Sequence, residues 1–283
     1  MKKKIAAKIS IFLLIFTFNS LFNFSSANER IVVAGGSLTE IIFALGAGDQ
    51  VVGVDKTSNY PEEVNKLPQI GYWKLLNIEG ILSLKPSLFI TLNDIEPDNV
   101  ISQVTQAKVD VLSLQRIPGT LDLLYSNIEK IANKLNKQSQ GQELINKIKS
   151  NLSKIQEKIS THPNKVKVLF LMSMGGTNSV AGKNTTADAL INIAGGENLA
   201  THTSYKSYTA ESLIALNPEV IIFNSHSIDQ LGGKDKVNTI PGITETNAFK
   251  NHRIMIIDDS YLFGIGPRVD EVADILYQGF YPQ

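Results

Sequence analysis

Short apolar runs alternate with helical patterns in two separate parts of this chain. The first group of β-type runs comprises Ile31 to Ala34, Val51 to Val54, Leu88 to Leu92 and Val109 to Leu114. The second group comprises Lys167 to Met172, Val220 to Asn224 and Arg253 to Ile257. Strands that alternate with helices are typical of parallel α/β sheets. The pattern therefore predicts two α/β lobes.

The segment between the two groups has no strand pattern. From Leu121 to Ile159 the chain is polar and helical, and apolar residues recur there at spacings of four and three: Leu144, Ile148, Leu152, Ile155 and Ile159. This spacing predicts one face of a helix of about six turns. A proline at position 163, after His162, should end it. We expect an N-terminal lobe over 28–137, a linking helix over 138–162 and a C-terminal lobe over 163–283.

An internal repeat relates the two lobes. Glu79 begins EGILSLKPSLFI, and Glu211 begins ESLIALNPEVII, so that a Glu, an apolar helical turn, Leu, Pro and a β-run recur in register. Asn77 and Thr209 are candidate N-caps, which would place both glutamates in a first helical turn. We predict the fold class α/β, with two related parallel-sheet lobes joined by one long helix and a ligand cleft between the lobes.

Residues 1–27 resemble an export signal. Four lysines precede a nearly continuous apolar stretch, and small residues end at Ala27. We expect a signal peptide cleaved near Ala27, with a lasting anchor as the alternative. Cleavage would leave 23 basic and 27 acidic residues, a net charge of −4, and this acidic balance disfavours nucleic-acid binding. The chain has no cysteine for a disulfide, a thiolate metal site or a lipid. We expect a periplasmic protein that is not embedded in a membrane.

Ligands of open parallel sheets lie beyond the carboxyl ends of the strands. The residues in those places are Gly35, Gly36, Ser37, Asn93, Asp94, Arg116, Met174, Gly175, Gly176, His226, Asp258 and Tyr261. Arg116 could grip a carboxylate or form a loop salt bridge. Backbone N–H groups of Gly35, Gly36 and Ser37 could approach a ligand, although Ser37 could instead cap the next helix.

Catalytic motifs are absent from the sequence. It contains no GxSxG elbow, HExxH pair, Walker loop or GxGxxG fingerprint, and its four histidines lack the spacing of a local metal site. The loop PQIGYWKLLNIEG is more informative, because it places Tyr72, Trp73 and Lys74 side by side. Aromatic rings beside a cation suit a large flat ligand with an anionic edge, and a Tyr phenolate can bind ferric haem. Lys74 would favour the ionised phenol. Ordinary packing aromatics are the alternative.

These segments resemble the periplasmic haemin-binding proteins of bacterial haem ABC importers, in the helical-backbone class that also holds cobalamin and ferric-siderophore binders. The similarity begins at RIVVAGGSLTEIIFALGAGDQVVGVDK, includes GYWK, and continues through AGKNTTADALINIAGGENLATH, YKSYTAESLIALNPEVII and GPRVDEVADIL. The resemblance implies that Tyr72 is the axial ligand of haem iron, with Lys74 beside it. It also implies that Glu79 and Glu211 dock onto the two permease subunits, although the helix dipole alone could explain these acids.

The far face of the haem is less defined by the resemblance. Some members of the family supply a His from the loop that here reads LMSMGG, so Met172 or Met174 stands in its place. His226 is the nearest counterpart of a second-lobe cation, or a solvated loop residue. Tyr205 precedes Glu211 much as Tyr72 precedes Glu79, so it could cover the other haem face or pack on the surface.

These observations predict a monomeric, non-enzymatic haem carrier whose lobes clamp the ligand and whose docking releases it to an inner-membrane ABC importer. A ferric siderophore or a corrinoid is the alternative ligand within the same class. A periplasmic hydrolase and a cell-surface adhesin are the alternatives from other classes.

Overall fold

The computed structural model describes residues 29–174 and 177–282. The expected signal peptide lies outside this range. The N-terminal lobe has a parallel sheet in the order β2-β1-β5-β6. Its strands are β1 (Ile31–Ala34), β2 (Val51–Val54), β5 (Leu88–Leu92) and β6 (Asp110–Leu114), and a separate hairpin contains β3 (Gly71–Tyr72) and β4 (Leu75–Leu76). Its helices are α1 (Gly36–Ala44), α2 (Ile78–Ser83) and α3 (Val100–Gln106).

Two helices follow the first sheet, α4 (Leu121–Lys134) and α5 (Gln138–Ser160). The predicted apolar face of α5 is buried at Ile148, Leu152 and Ile155, together with Ile145. The helix ends before His162, whose ring stacks on Tyr281 at a centroid distance of 3.9 Å. The 23 residues of α5 form the predicted long connection between the lobes.

The C-terminal lobe has a mixed six-stranded sheet. Its strands are β7 (Lys167–Met174), β8 (Thr177–Ala181), β9 (Glu197–Asn198), β10 (Tyr205–Ser207), β11 (Val220–Asn224) and β12 (Ile254–Ile257). Strands β7, β11 and β12 are parallel, whereas β8 runs antiparallel to both β7 and β10. Its helices are α6 (Thr186–Ile193), α7 (Ala210–Leu216), α8 (Ser225–Leu231), α9 (Asn247–Lys250) and α10 (Val269–Phe280). Strands β7, β11 and β12 form the predicted parallel sheet of this lobe, and the β7–β8 hairpin and β10 add antiparallel strands that the sequence pattern did not indicate.

One apolar core joins the two lobes. It includes the buried strands β1 and β5, the inner faces of α4 and α5, and residues of β7, α6 and α10. A second, smaller core covers the other face of the C-terminal sheet. The predicted architecture of two α/β lobes joined by a long helix is confirmed. Among residues 29–174 and 177–282, no helix has the length and apolar character needed to cross a membrane.

Candidate functional site

The β3–β4 hairpin presents the predicted aromatic pair. Gly71 adopts a φ of 107°, and a Cβ there would lie 2.5 Å from the carbonyl oxygen of Leu75, so a glycine is needed for the tight strand pairing. The hairpin leaves Tyr72 37 % exposed and Leu75 74 % exposed. The rings of Tyr72 and Trp73 lie 5.8 Å apart and are tilted by 60°. This hairpin therefore offers an accessible phenol next to a partly buried indole.

Trp73 lies against two cationic side chains. Lys74 Nζ is 4.3 Å from a Trp73 ring centroid, and Arg116 Cζ is 4.9 Å from one. Both distances are within the range of cation–π interaction. Arg116 comes from the loop after β6, so the end of a core strand brings it to the hairpin. The structure thus brings together three of the predicted residues with Tyr72 beside them.

Two acidic residues in the loop after β5, Asp94 and Glu96, contact Arg116 and Lys74. Arg116 Nη2 donates to Asp94 Oδ2 at 2.7 Å. Lys74 Nζ donates to the Asp94 carbonyl oxygen at 2.6 Å and lies 3.1 Å from a Glu96 carboxylate oxygen. The positive charge of Lys74 is therefore balanced by Glu96. Lys74 thus pairs with an acid of the loop after β5 while it lies over the Trp73 ring.

Three polar atoms near Arg116 are buried and have no hydrogen-bond partner within the described chain. They are Arg116 Nε, Asp94 Oδ1 and Asn127 Oδ1. Arg116 and Asn127 line a narrow cavity with Ser37 and Gly264. Buried donors and acceptors are nearly always paired in folded proteins, so unpaired ones mark places where a water or ligand adds contacts. The salt bridge expected as the alternative for Arg116 exists, yet it leaves a donor of this side chain unused.

Tyr205 approaches this cluster from the other lobe. Burial raises the pKa of Tyr205 to about 12, and the charge of Arg116 acts in the opposite direction. The two side chains are therefore within electrostatic range of each other across the cleft. Tyr205 is partly buried against the apolar core that joins the lobes. At neutral pH it is a neutral phenol that can donate a hydrogen bond.

The predicted role of the glycine amides is wrong. Gly35 N donates to Asp55 Oδ1 at 3.0 Å, and Gly36 N donates to Thr57 Oγ1 at 2.9 Å, so neither amide is left for a ligand. Ser37 is not the helix cap either, because α1 begins at Gly36 with Gly35 as its N-cap. Burial raises the pKa of Asp55, which instead holds this turn in place through Thr57 and Ser58.

The remaining second-lobe candidates contact residues other than Tyr72 and Trp73 in the described structure. His226 is exposed in the first turn of α8, where its Nε2 lies 2.9 Å from Gln230 Nε2 and its backbone N–H donates to Asp259. Met172 is half-buried on β7. Met174 ends that strand, but its side chain and the two glycines that follow it lie outside the described part of the structure. Tyr261 donates to Glu271 at 2.8 Å.

The two repeated glutamates occupy matching positions at helix starts. Asn77 accepts from Gly80 N at 3.0 Å, and Thr209 accepts from Ser212 N at 3.2 Å, which confirms both predicted N-caps. Glu79 and Glu211 are exposed in the first turns of α2 and α7. Hydrogen bonds from its own backbone N–H and from Thr209 lower the pKa of Glu211. Both acids are thus exposed at the first turns of corresponding helices in the two lobes.

Sequence reasoning missed several residues around the hairpin. Leu75 and Ile117 are 74 % and 49 % exposed, and each follows a predicted site residue directly in the chain. The sequence did contain a signal for these two residues, because each is an apolar residue that directly follows a predicted cation, Lys74 or Arg116. The pairing of Glu96 with Lys74 had no such signal, because the loop after β5 sets it.

Most of the chain is similar to proteins of known fold. Residues 31–261 match the family described as periplasmic binding protein. A solved periplasmic heme-binding protein from Roseiflexus sp. RS-1, in apo form, is similar with a TM-score of 0.85 at 36 % identity, covering 90 % of this chain and 98 % of that one.

Two sequence relatives differ in what their names state. An uncharacterized ABC transporter substrate-binding lipoprotein of Bacillus subtilis is 31 % identical over 90 % of this chain and 80 % of its own length. A vitamin B12-binding protein of Vibrio parahaemolyticus is 29 % identical over 80 % of this chain and 81 % of its own length. The fold, the cleft-edge cluster and the family match over 31–261 agree, and the chain belongs to the periplasmic binding protein family.

Proposed function

We propose that this protein binds ferric haem in the cleft between its lobes and delivers it to an inner-membrane ABC importer from the periplasm. The observation that carries the proposal is the exposed Tyr72 on the β3–β4 hairpin, beside Trp73 and within one cluster with Arg116. A phenolate oxygen is an established protein ligand of haem iron. The similarity to a solved heme-binding protein supports the same ligand class.

The surroundings of Tyr72 suit the rest of a haem molecule. Leu75 and Ile117 give the rim exposed apolar surface for the porphyrin ring. The Arg116 side chain is 21 % exposed, and its accessible guanidinium edge can donate to a propionate carboxylate while Asp94 holds the guanidinium in place. Tyr205 of the C-terminal lobe is a neutral phenol whose pKa responds to the charge of Arg116, so it can offer a hydrogen bond from the other side of the cleft. The two lobes thereby supply complementary groups to one ligand.

A corrinoid is the second candidate ligand, because a vitamin B12-binding protein is among the relatives. Corrinoids carry neutral amides around the ring, whereas haem carries two carboxylates. A partly exposed arginine favours the carboxylates, since hydrogen bonds between charged partners are stronger than those to neutral groups. A ferric siderophore would also use an anionic edge, but it offers no open iron site for Tyr72.

The test is a titration of purified mature protein with haemin, cyanocobalamin and a ferric siderophore in parallel. We expect a Soret band with high-spin ferric features and stoichiometric binding for haemin alone. Tyr72→Phe keeps the ring, removes the oxygen, and should alter the spectrum and weaken binding at least tenfold, or about 1.4 kcal/mol. Tyr125→Phe is the matched control, because Tyr125 lies on α4 against Lys149. An unaltered spectrum in Tyr72→Phe, or tight binding of cobalamin instead, would refute the assignment.

Delivery to the importer rests on the paired acids. Glu79 and Glu211 open equivalent helices in the two lobes, so a pseudo-two-fold relation of the lobes presents them as a matched pair. Such a pair fits basic residues on two permease subunits. We propose that they dock the protein and take no part in holding the ligand.

A further inference from the structure

Asn127 borders the narrow cavity beside Arg116, and the proposed function gives it no role. It lies on α4 and is only 7 % exposed. Its Nδ2 donates to the Gln115 carbonyl oxygen at 2.8 Å. Because a carbonyl oxygen only accepts hydrogen bonds, this contact fixes which end of the amide faces Gln115 and turns Oδ1 the other way. The same contact anchors the backbone directly before Arg116.

Two complementary polar atoms in this region have no partner within residues 29–174 and 177–282. Asn127 Oδ1 is an acceptor and Arg116 Nε carries a hydrogen to donate, and both atoms are buried. Both residues line the cavity. A buried donor and a buried acceptor that both lack a partner each cost free energy, which a shared partner would recover.

The size and the lining of the cavity suit a single water molecule. The cavity volume is about 10 Å³, which is close to the smallest volume that holds one water. One water can donate to Asn127 Oδ1 and accept from Arg116 Nε at the same time. Ser37 borders the same space, because a Cβ on Gly264 would lie 2.9 Å from Ser37 Oγ and 3.4 Å from Arg116 Cγ. The positive charge of Arg116 disfavours a cation there.

The other contacts of the Arg116 guanidinium leave its Nε side unfixed. Nη2 donates to Asp94 Oδ2 at 2.7 Å, and Cζ lies 4.9 Å from a Trp73 ring centroid. The guanidinium is planar, so a hydrogen bond at Nε sets the direction of the whole group, including the edge that remains accessible.

We propose that Asn127, through one internal water, holds Arg116 Nε and thereby directs the accessible edge of the guanidinium at a carboxylate of the ligand. Asn127 is a positioning residue, which acts on the ligand only through Arg116. This inference rests on the proposed function and deepens it, because it makes Asn127 a determinant of selectivity for porphyrins that carry free carboxylates.

The first test compares haemin with haemin dimethyl ester, whose carboxylates are blocked. Asn127→Leu should lower the affinity for haemin about fivefold, the effect of one hydrogen bond, and leave the affinity for the ester within about twofold of the wild type. Asn127→Ala adds no bulk and should show the same selective loss. Asn133→Leu, at an exposed position of the same helix, is the control. Equal losses for the two ligands would overturn the proposal, because a general packing defect does not distinguish them.

A double variant tests whether Asn127 acts through Arg116. In an Arg116→Gln background, Asn127→Leu should change haemin affinity by no more than about twofold, because the group that it positions is gone. A further loss as large as the one in the wild-type background would overturn the proposal.

The water itself can be detected by NMR in the unliganded protein. With isotope-labelled arginine, the Arg116 Nε–H signal, identified by its loss in Arg116→Lys, should show a cross peak to a long-lived water, and Asn127→Leu should abolish that cross peak. A wild-type protein without the cross peak would overturn the proposal. Failure of haemin to bind would refute the haem assignment, whereas this arm, which contains no ligand, would still decide whether Asn127 and a water hold Arg116.

Discussion

Each lobe places an arginine beyond the last strand of its sheet, and the two arginines differ in how fully their donors are used. Arg268 donates three hydrogen bonds, two of them to one carboxylate, and lies between two tyrosine rings. Arg116 donates one hydrogen bond to Asp94, lies on Trp73, and keeps its buried Nε unpaired within the described structure. Arg268 is held by a buried carboxylate and stabilises the protein, whereas the partly exposed side chain of Arg116 has donors left for a ligand.

The largest expected effect is on stability. Arg268→Gln leaves the buried Glu40 carboxylate without its partner and should cost about 3–5 kcal/mol of the free energy of unfolding. Lys158→Gln, at the exposed pair with Asp274, should cost about 0–1 kcal/mol. Chemical denaturation of the unliganded proteins measures both. Equal losses in the two variants would contradict a stabilising role for the buried pair of Arg268 and Glu40.

Arg116→Gln should lower ligand affinity more than stability, which is the reverse of the effect expected for Arg268→Gln. We expect haemin affinity to fall by about 1.5–3 kcal/mol, because a charged hydrogen bond to the ligand is lost, and stability to change by less than about 1 kcal/mol. Arg116→Lys keeps the charge but loses the planar fork, so its affinity should be intermediate. Titration calorimetry and denaturation of the same samples separate the two quantities. If only stability were lost, Arg116 would have a stabilising role like that of Arg268 and no role in ligand binding.

The exposed acids lie outside both arginine clusters and should affect only transport. Glu79→Lys and Glu211→Lys should each reduce haem import in reconstituted membranes and make it more sensitive to salt, and the double variant should reduce it further, because rim charges set orientation and encounter rate. Haemin affinity should stay at the wild-type value in all three. Normal import by the double variant would leave both residues as helix-start acids alone.

The smallest expected effect concerns the titration of a single phenol, that of Tyr205. The free phenol titrates near pH 10, whereas burial raises the pKa of Tyr205 to about 12 in the folded protein. The unfolded chain therefore loses this proton first, so the contribution of Tyr205 to stability is complete below about pH 10 and is lost as the pH rises towards about 12.

The difference in phenolate absorbance between the wild type and Tyr205→Phe reports the titration of Tyr205 alone. Its midpoint should lie near pH 12, and Arg116→Gln should move it higher, because the arginine charge lowers the pKa. A midpoint near that of free tyrosine, or no response to Arg116→Gln, would separate Tyr205 from the Arg116 cluster.

Several features followed from the sequence alone. The strands Ile31–Ala34, Val51–Val54, Leu88–Leu92 and Val220–Asn224 have the predicted limits, because buried parallel strands are short, continuous apolar runs bounded by polar residues. The apolar spacing on α5 and the caps at Asn77 and Thr209 are also local signals, and the structure confirms them. The adjacency of Tyr72, Trp73 and Lys74 is a property of the chain itself.

The pairing of side chains was decided only by the tertiary structure. Glu40 and Arg268 are 228 residues apart, and their contact depends on how the loop before α10 returns to α1. The amides of Gly35 and Gly36 were predicted to serve a ligand, but Asp55 and Thr57 reach them first. Periodicity and spacing describe which face of an element is buried, whereas hydrogen-bond partners depend on distances between elements that no local pattern encodes.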